Sequence, residues 1–225
     1  MQVKKEAIFL DFDGVIVDSL EEWYHIGVLA YHGIDQAIPD NQHKELYKDN
    51  CHLLYSYADE YCLFKALENQ TIKDFTTIRQ NANQKEVDTY SKDFKKIRKF
   101  YQNNHLDWWC ELHGLTDYGK RLTNPQNTKD YFIITRKNMD DVLILKKHFN
   151  IKIPDIKVFD YSHSVKYGGK VDFIERFLDN HPDYNKAVLV DDKIENLCES
   201  SKVTCYFASW GYGKGNNEFE TYQGS

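Results

Sequence analysis

Five short apolar runs, each ending in polar residues, set the rhythm of this 225-residue chain. Ala7–Leu10 stops at Asp11, and the same grammar returns at Tyr131–Ile134, Ile156–Phe159, Ala187–Val190 and Val203–Phe207. Apolar runs of this length predict buried strands. Between the later runs the apolar period becomes helical. Val142, Leu145 and Phe149 share a face of Met139–Phe149, Val171, Ile174 and Leu178 share one of Val171–Leu178, and a further helix is predicted over Ile194–Ser201. Strand alternating with helix predicts an α/β fold, a doubly wound parallel sheet covered on both faces.

From about Leu20 to His113 the rhythm breaks. This interval is rich in aromatic residues, shows no clear buried strand and reads as a mostly helical insertion after the first strand. Its predicted helical pieces are Glu21–His32, Lys44–Asn50, Leu53–Asn69 and the polar, Lys-rich Gln84–Tyr101, with Gly33 and Pro39 punctuating the first gap. The chain is thus expected to comprise a core domain of residues 1–19 and 114–225 and an inserted helical domain of residues 20–113. The stretch Gly211–Ser225, rich in Gly, Asn and Glu, is expected to fray.

Composition narrows the classes. Hydrophobic residues at 41% and aromatic residues at 15% argue for a folded chain with a substantial core. The 29 Lys and Arg against 35 Asp and Glu give a net charge of −6 without a long basic run, so no nucleic-acid partner is expected. Cys51, Cys62, Cys110, Cys198 and Cys205 are odd in number and form no CxxC pair, which points to reduced thiols and a cytoplasmic protein. The apolar stretch near the start is too short for a signal peptide or a membrane span. None of the nine His shows zinc-ligand spacing.

In a doubly wound sheet, ligands collect beyond the carboxyl ends of the strands. The polar residues there are organised: Asp11-Phe12-Asp13-Gly14 after the first run, Thr135-Arg136-Lys137 after the second and Asp191-Asp192 after the fourth, with Lys170 opening a later helix. Clustered carboxylates repel, so Asp11, Asp13 and Asp191 together ask for a hard cation, and magnesium suits carboxylates, water and phosphate oxygens. A carboxylate so placed can act as a nucleophile toward phosphorus. Plainer roles compete: Asp18-Ser19 and Thr135 could cap the helices that follow them, and the Lys92–Lys99 run could be a solvated helix face. Trp108, Trp109, Tyr55, Tyr57 and Tyr61 read as core rather than as a substrate pocket.

The chain resembles the haloacid dehalogenase superfamily, matching four motifs in order. DxDGxxxDS is complete as Asp11–Ser19, Thr135 ends a hydrophobic strand, Lys170 follows Gly168-Gly169 with Lys166 as competitor, and Val190-Asp191-Asp192-Lys193-Ile194-Glu195 resembles the acidic fourth motif. The Trp210-Gly211-Tyr212-Gly213 ending is similar to that of phosphoglycolate-phosphatase-type members. The resemblance implies a phosphatase rather than a dehalogenase, with Asp11 as nucleophile and Asp13 as general acid and base. It implies Thr135 and Lys170 on the phosphoryl group, and Mg2+ held by Asp11, Asp13 and Asp191, with Asp192 and Glu195 as outer support. The insertion would be the cap that selects a small phosphorylated metabolite. A phosphomutase, or a member that binds phosphate or protein without turnover, is the alternative.

Overall fold

The computed structural model describes residues 5–33, 41–124, 129–215 and 218–223. The expected punctuation at Pro39 lies outside them, as does part of the C-terminal stretch. In chain order, β1 (Lys5–Leu10) and β2 (Val17–Asp18) precede six helices: α1 (Leu20–His32), α2 (Asn41–Asp49), α3 (Tyr57–Glu68), α4 (Phe75–Gln80), α5 (Gln84–Asn104) and α6 (Leu106–Glu111). Then follow β3 (Gly114–Leu115), α7 (Asp117–Arg121), β4 (Asp130–Ile134), α8 (Met139–His148), β5 (Val158–Phe159), α9 (Tyr161–Lys166), α10 (Lys170–Asn180), β6 (Tyr184–Asp191) and β7 (Val203–Phe207). The chain divides into two compact units, Met1–Asp18 with Gly114–Ser225, and Ser19–His113.

The first unit is built on a five-stranded parallel sheet of order β5-β4-β1-β6-β7. Its central strand β1 has Ala7, Phe9 and Leu10 wholly inaccessible to solvent, because neighbours on both sides and cover on both faces leave no polar position. Phe9, Phe132, Phe177 and Ile174 anchor one core cluster, in which Phe9 stacks on Phe132 with ring centroids 4.8 Å apart. Each such side chain contributes about 1.5–3 kcal/mol through burial. Leu10 is in register with Ile133 on one side and Val190 on the other, so the three central strands end level with one another.

Three features depart from the sequence pattern. The edge strand β5 is only two residues long, because Pro154 accepts from the Lys157 amide and winds Asp155–Lys157 into a 3-10 turn that leaves Ile156 86% exposed. The helix expected over Ile194–Ser201 is a single 3-10 turn, Ile194–Asn196. There Asn196 turns its amide onto Asp191, and the Ser200 hydroxyl accepts from the amides of Lys202 and Val203, local bonds that compete with a helix. A small antiparallel pair, β2 with β3, was too short to show a periodic signal.

The second unit is helical, as the sequence pattern indicates. In α5, Val87, Tyr90, Phe94 and Ile97 form the buried stripe while Lys92, Lys95, Lys96 and Lys99 face solvent. The third helix begins later than expected because Ser56 caps it, its hydroxyl accepting from the Asp59 amide at 3.3 Å. The six-residue helices α4 and α6 were missed. Of the aromatics expected in the core, Trp109 is fully buried and Tyr61 nearly so, whereas Trp108 and Tyr55 are exposed.

Inside this unit Arg98 donates two bonds of 2.7 Å to the fully buried Glu22, which also accepts from the Trp109 indole at 3.0 Å. Tyr47 donates to the buried Glu60 at 2.7 Å. Burial pushes the Glu60 carboxyl up to about 8, with the Tyr47 hydroxyl and Arg98 pulling it down and Glu22 adding to the rise. A carboxyl whose folded pKa is raised binds more protons in the native state, so its contribution to stability is present at low pH and is lost as pH rises from about 4.5 through 8. Thermal unfolding monitored by circular dichroism should show a melting temperature that falls between pH 5 and pH 8.5, and Glu60→Gln should flatten that slope.

Candidate active site

The level ends of β1, β4 and β6 determine what meets at the carboxyl edge of the sheet. The residue after β1 is Asp11, the residue after β4 is Thr135, and β6 ends in Asp191 followed by Asp192. The Asp11 amide donates to the Val190 carbonyl, which continues the ladder one step and seats Asp11 beside Asp191. Carboxylate oxygens of Asp11, Asp191 and Asp192 lie within 4.8 Å of one another, and all three residues are buried.

One lysine holds two of them. Lys170 Nζ lies 2.9 Å from Asp11 Oδ1 and 2.6 Å from Asp191 Oδ2, and its side chain is 2% exposed. The lysine opens α10 directly after Gly168 and Gly169, and the apolar stripe Val171, Ile174 and Leu178 fixes that helix against the sheet. Lys166, the competitor, is exposed on α9 above the Tyr167 ring. Burial works against the Lys170 ammonium, yet Asp11 and Asp191 outweigh it and hold its pKa above that of an ordinary lysine.

The remaining contacts separate the three carboxylates by how many of their oxygens are engaged. Asp191 accepts from Lys170, the Lys193 amide at 2.8 Å and the Asn196 amide at 3.0 and 3.1 Å, so both its oxygens are engaged. Asp11 uses Oδ1 for Lys170 and the Phe12 amide at 2.7 Å. Asp192 uses Oδ2 for the Tyr212 amide at 2.6 Å. Burial, with Asp191 and Asp192 adding to it against Lys170, pushes the Asp11 carboxyl up to about 7. Burial followed by the charge of Asp191 pushes Asp192 up to about 6. Carboxylates crowded in this way lower their repulsion by taking up a cation or a proton.

Asp13 stands apart from this group. It was expected in the metal cluster, but its Oδ1 is 2.9 Å from Lys137 Nζ, and the carboxylates that gather round Lys170 are instead Asp11 and Asp191 with Asp192 alongside. Thr135 is 1% exposed and its hydroxyl accepts from the Lys137 amide at 3.1 Å. It does not cap α8, a task done by Asn138, which accepts from the Asp141 amide. Asp18 accepts from the Tyr212 hydroxyl at 3.1 Å, and Ser19 makes no side-chain cap to α1. Glu195 is exposed, and the inner support comes from its neighbour Asn196.

Sequence reasoning quoted Gly14 and the Trp210-Gly211-Tyr212-Gly213 ending but not their place around Asp192. Gly14 has φ +83° and an added Cβ would sit 2.5 Å from Asp192 Oδ2, so only glycine fits there. Gly211 and Gly213 likewise approach Asp192 too closely for a side chain, which lets the Tyr212 amide reach the carboxylate. The Trp210-Gly211-Tyr212-Gly213 ending is therefore part of the site's wall, and Trp210 ties it to the first loop by donating to the Val15 carbonyl at 3.1 Å.

Removing the Lys170 charge would leave Asp11 and Asp191 buried without their cation. Lys170→Met should lower unfolding stability in urea at neutral pH by about 3–5 kcal/mol. Lys166→Met should stay within about 0.5 kcal/mol of wild type.

No protein-family model and no curated protein matches the sequence. Solved structures do match. A haloacid dehalogenase-like family hydrolase from Streptococcus pneumoniae is 14% identical with a TM-score of 0.59, covering 93% of this chain and 87% of that one. The "putative phosphoglycolate phosphatase" of Lactobacillus delbrueckii subsp. bulgaricus, also 14% identical, has a TM-score of 0.61 with coverage of 93% and 88%. The "putative HAD-hydrolase YfnB" of Bacillus subtilis, solved bound to magnesium, is 14% identical with a TM-score of 0.54 and coverage of 97% and 92%. The chain has the haloacid dehalogenase-like hydrolase fold, a parallel-sheet core with a helical insertion after its first strand.

Proposed function

We propose that the chain is a Mg2+-dependent phosphohydrolase of small phosphate monoesters that works through an aspartyl-phosphate on Asp11. The observation that carries this reading is the buried group of Asp11, Asp191 and Asp192 around Lys170 at the strand ends of this fold. A donor set made only of carboxylate oxygens suits a hard divalent cation. Asp11 and Asp192 would hold it, since each keeps one oxygen without a hydrogen bond from the described residues, whereas Asp191 is engaged on both oxygens and serves to seat Lys170. The bound ion would neutralise charge on the phosphoryl group.

The protein's own groups supply the rest. The Asp11 carboxylate attacks phosphorus. The Thr135 hydroxyl and Lys170 bind phosphoryl oxygens. Asp13, outside the carboxylate group, gives a proton to the leaving alcohol and then takes one from the water that splits the intermediate. The helical unit serves as the cap that selects the alcohol portion of a small phosphorylated metabolite. No helix among the described residues is long and apolar enough to cross a membrane.

Phosphate release from a panel of phosphomonoesters should require Mg2+, stop with chelator and fall by at least about a thousandfold in Asp11→Asn. Release that survives in Asp11→Asn would remove the nucleophile assignment. Calorimetric Mg2+ titration separates the two adjacent acids: Asp192→Asn should weaken binding about tenfold or more, and Asp191→Asn should cost stability before it costs affinity.

A further inference from the structure

Four carboxylates stand at this edge of the sheet, and two buried lysines hold three of them. Lys170 serves Asp11 and Asp191; Lys137 serves Asp13. The sequence reading assigned Lys137 no role. We propose that Lys137 is a positioning residue, which fixes the Asp13 carboxyl where it can deliver its proton to the leaving-group oxygen. The inference rests on the phosphohydrolase reading above and names a residue that reading does not use.

The geometry supports this role. Lys137 Nζ is 2.9 Å from Asp13 Oδ1, with the lysine side chain 2% and the aspartate side chain 13% exposed. A buried ammonium is strongly unfavourable without its carboxylate, so the pair commits Asp13 to one place. The backbone of Lys137 is itself pinned, because its amide donates to Thr135 Oγ1 and the next residue, Asn138, caps α8. One residue thus grips Thr135 through its backbone and Asp13 through its side chain. The Asp13 end is held by its own loop, where the Gly14 amide donates to the Val17 carbonyl and Asp13 bridges to Val17. Misplacing a proton donor by about 1 Å can cost a hundredfold in rate.

In the step at issue, the O–H bond of the Asp13 carboxyl breaks as the bond from phosphorus to the leaving oxygen breaks. The proton goes to that oxygen, and the new bond to phosphorus comes from Asp11. An alkoxide leaving group needs this proton, and a nitrophenolate does not. The ratio kcat/KM reads the reaction only through its first irreversible step, so comparing the two leaving groups isolates the donor function.

The experiment measures kcat/KM of the full chain with Mg2+ on glycerol phosphate and on p-nitrophenyl phosphate, for wild type, Lys137→Met, Lys137→Arg, Asp13→Asn and the Lys137→Met/Asp13→Asn double variant. Lys137→Met should lose about a hundredfold or more on the alkyl ester and no more than about tenfold on the aryl ester, in line with the usual worth of general acid catalysis. Lys137→Arg keeps the charge and should recover part of the alkyl-ester loss. The double variant should be no worse than Asp13→Asn alone. Equal losses on both esters, or a double variant that loses the full product of the two single effects, would overturn the role of Lys137 alone. Absence of wild-type turnover on both esters would overturn the phosphohydrolase reading, and this role with it.

Discussion

A single buried ammonium, that of Lys170, bridges the ends of two neighbouring parallel strands, and the site depends on it. Its partners Asp11 and Asp191 are neighbours only because Leu10 and Val190 are in register and the ladder runs one bond further. The apolar interior of β1 and β6 therefore has a second consequence beyond stability: it fixes where the acids emerge. In turn, the lysine permits carboxylates to be buried there at all, since an uncompensated buried charge costs several kcal/mol. The Gly-rich segment at Gly211–Gly213 packs against Asp192, and there, as at Gly14 in the first loop, a Cβ would collide with that residue.

The arrangement is deliberately unbalanced. Three carboxylates are gathered around one lysine, and burial first, with the charges of neighbouring acids adding to it, displaces Asp11 and Asp192 upward. Asp13 and Lys137, by contrast, meet one to one. Under the proposed function, this excess of negative charge would take up a divalent cation and, through it, a phosphate that bare carboxylates would repel. On this account the fold stores unfavourable electrostatics in the free protein and spends it on binding.

Much of this was legible in the chain. The central strands announced themselves because burial on both faces demands unbroken apolar runs, and Asp11, Thr135 and Asp191 could be placed because they follow those runs directly. Lys170 could be distinguished from Lys166 only in three dimensions, since both lie near a helix start and only packing decides which one turns inward. Asp191 and Asp192 look alike in the sequence for the same reason, and only the fold shows Asn196, Lys193 and Lys170 gathered on Asp191. Long-range pairings left no sequence trace. Asp13 meets a lysine 124 residues away, and the Tyr212 amide reaches Asp192 across 20. The edge elements were hardest, because a two-residue β5 and a 3-10 turn at Ile194–Asn196 are set by local hydrogen bonds rather than by periodicity.

The central claim is that Asp11 becomes covalently phosphorylated, and it can be tested on the protein itself. Acid-quenching the wild type during turnover, reducing the trapped acyl phosphate with borohydride and sequencing the peptides by mass spectrometry reads the site of attachment directly. The account predicts conversion of residue 11 to homoserine, dependent on Mg2+ and on substrate. Phosphate release in the same reaction with Asp11 left unmodified, and the label on another residue, would contradict it.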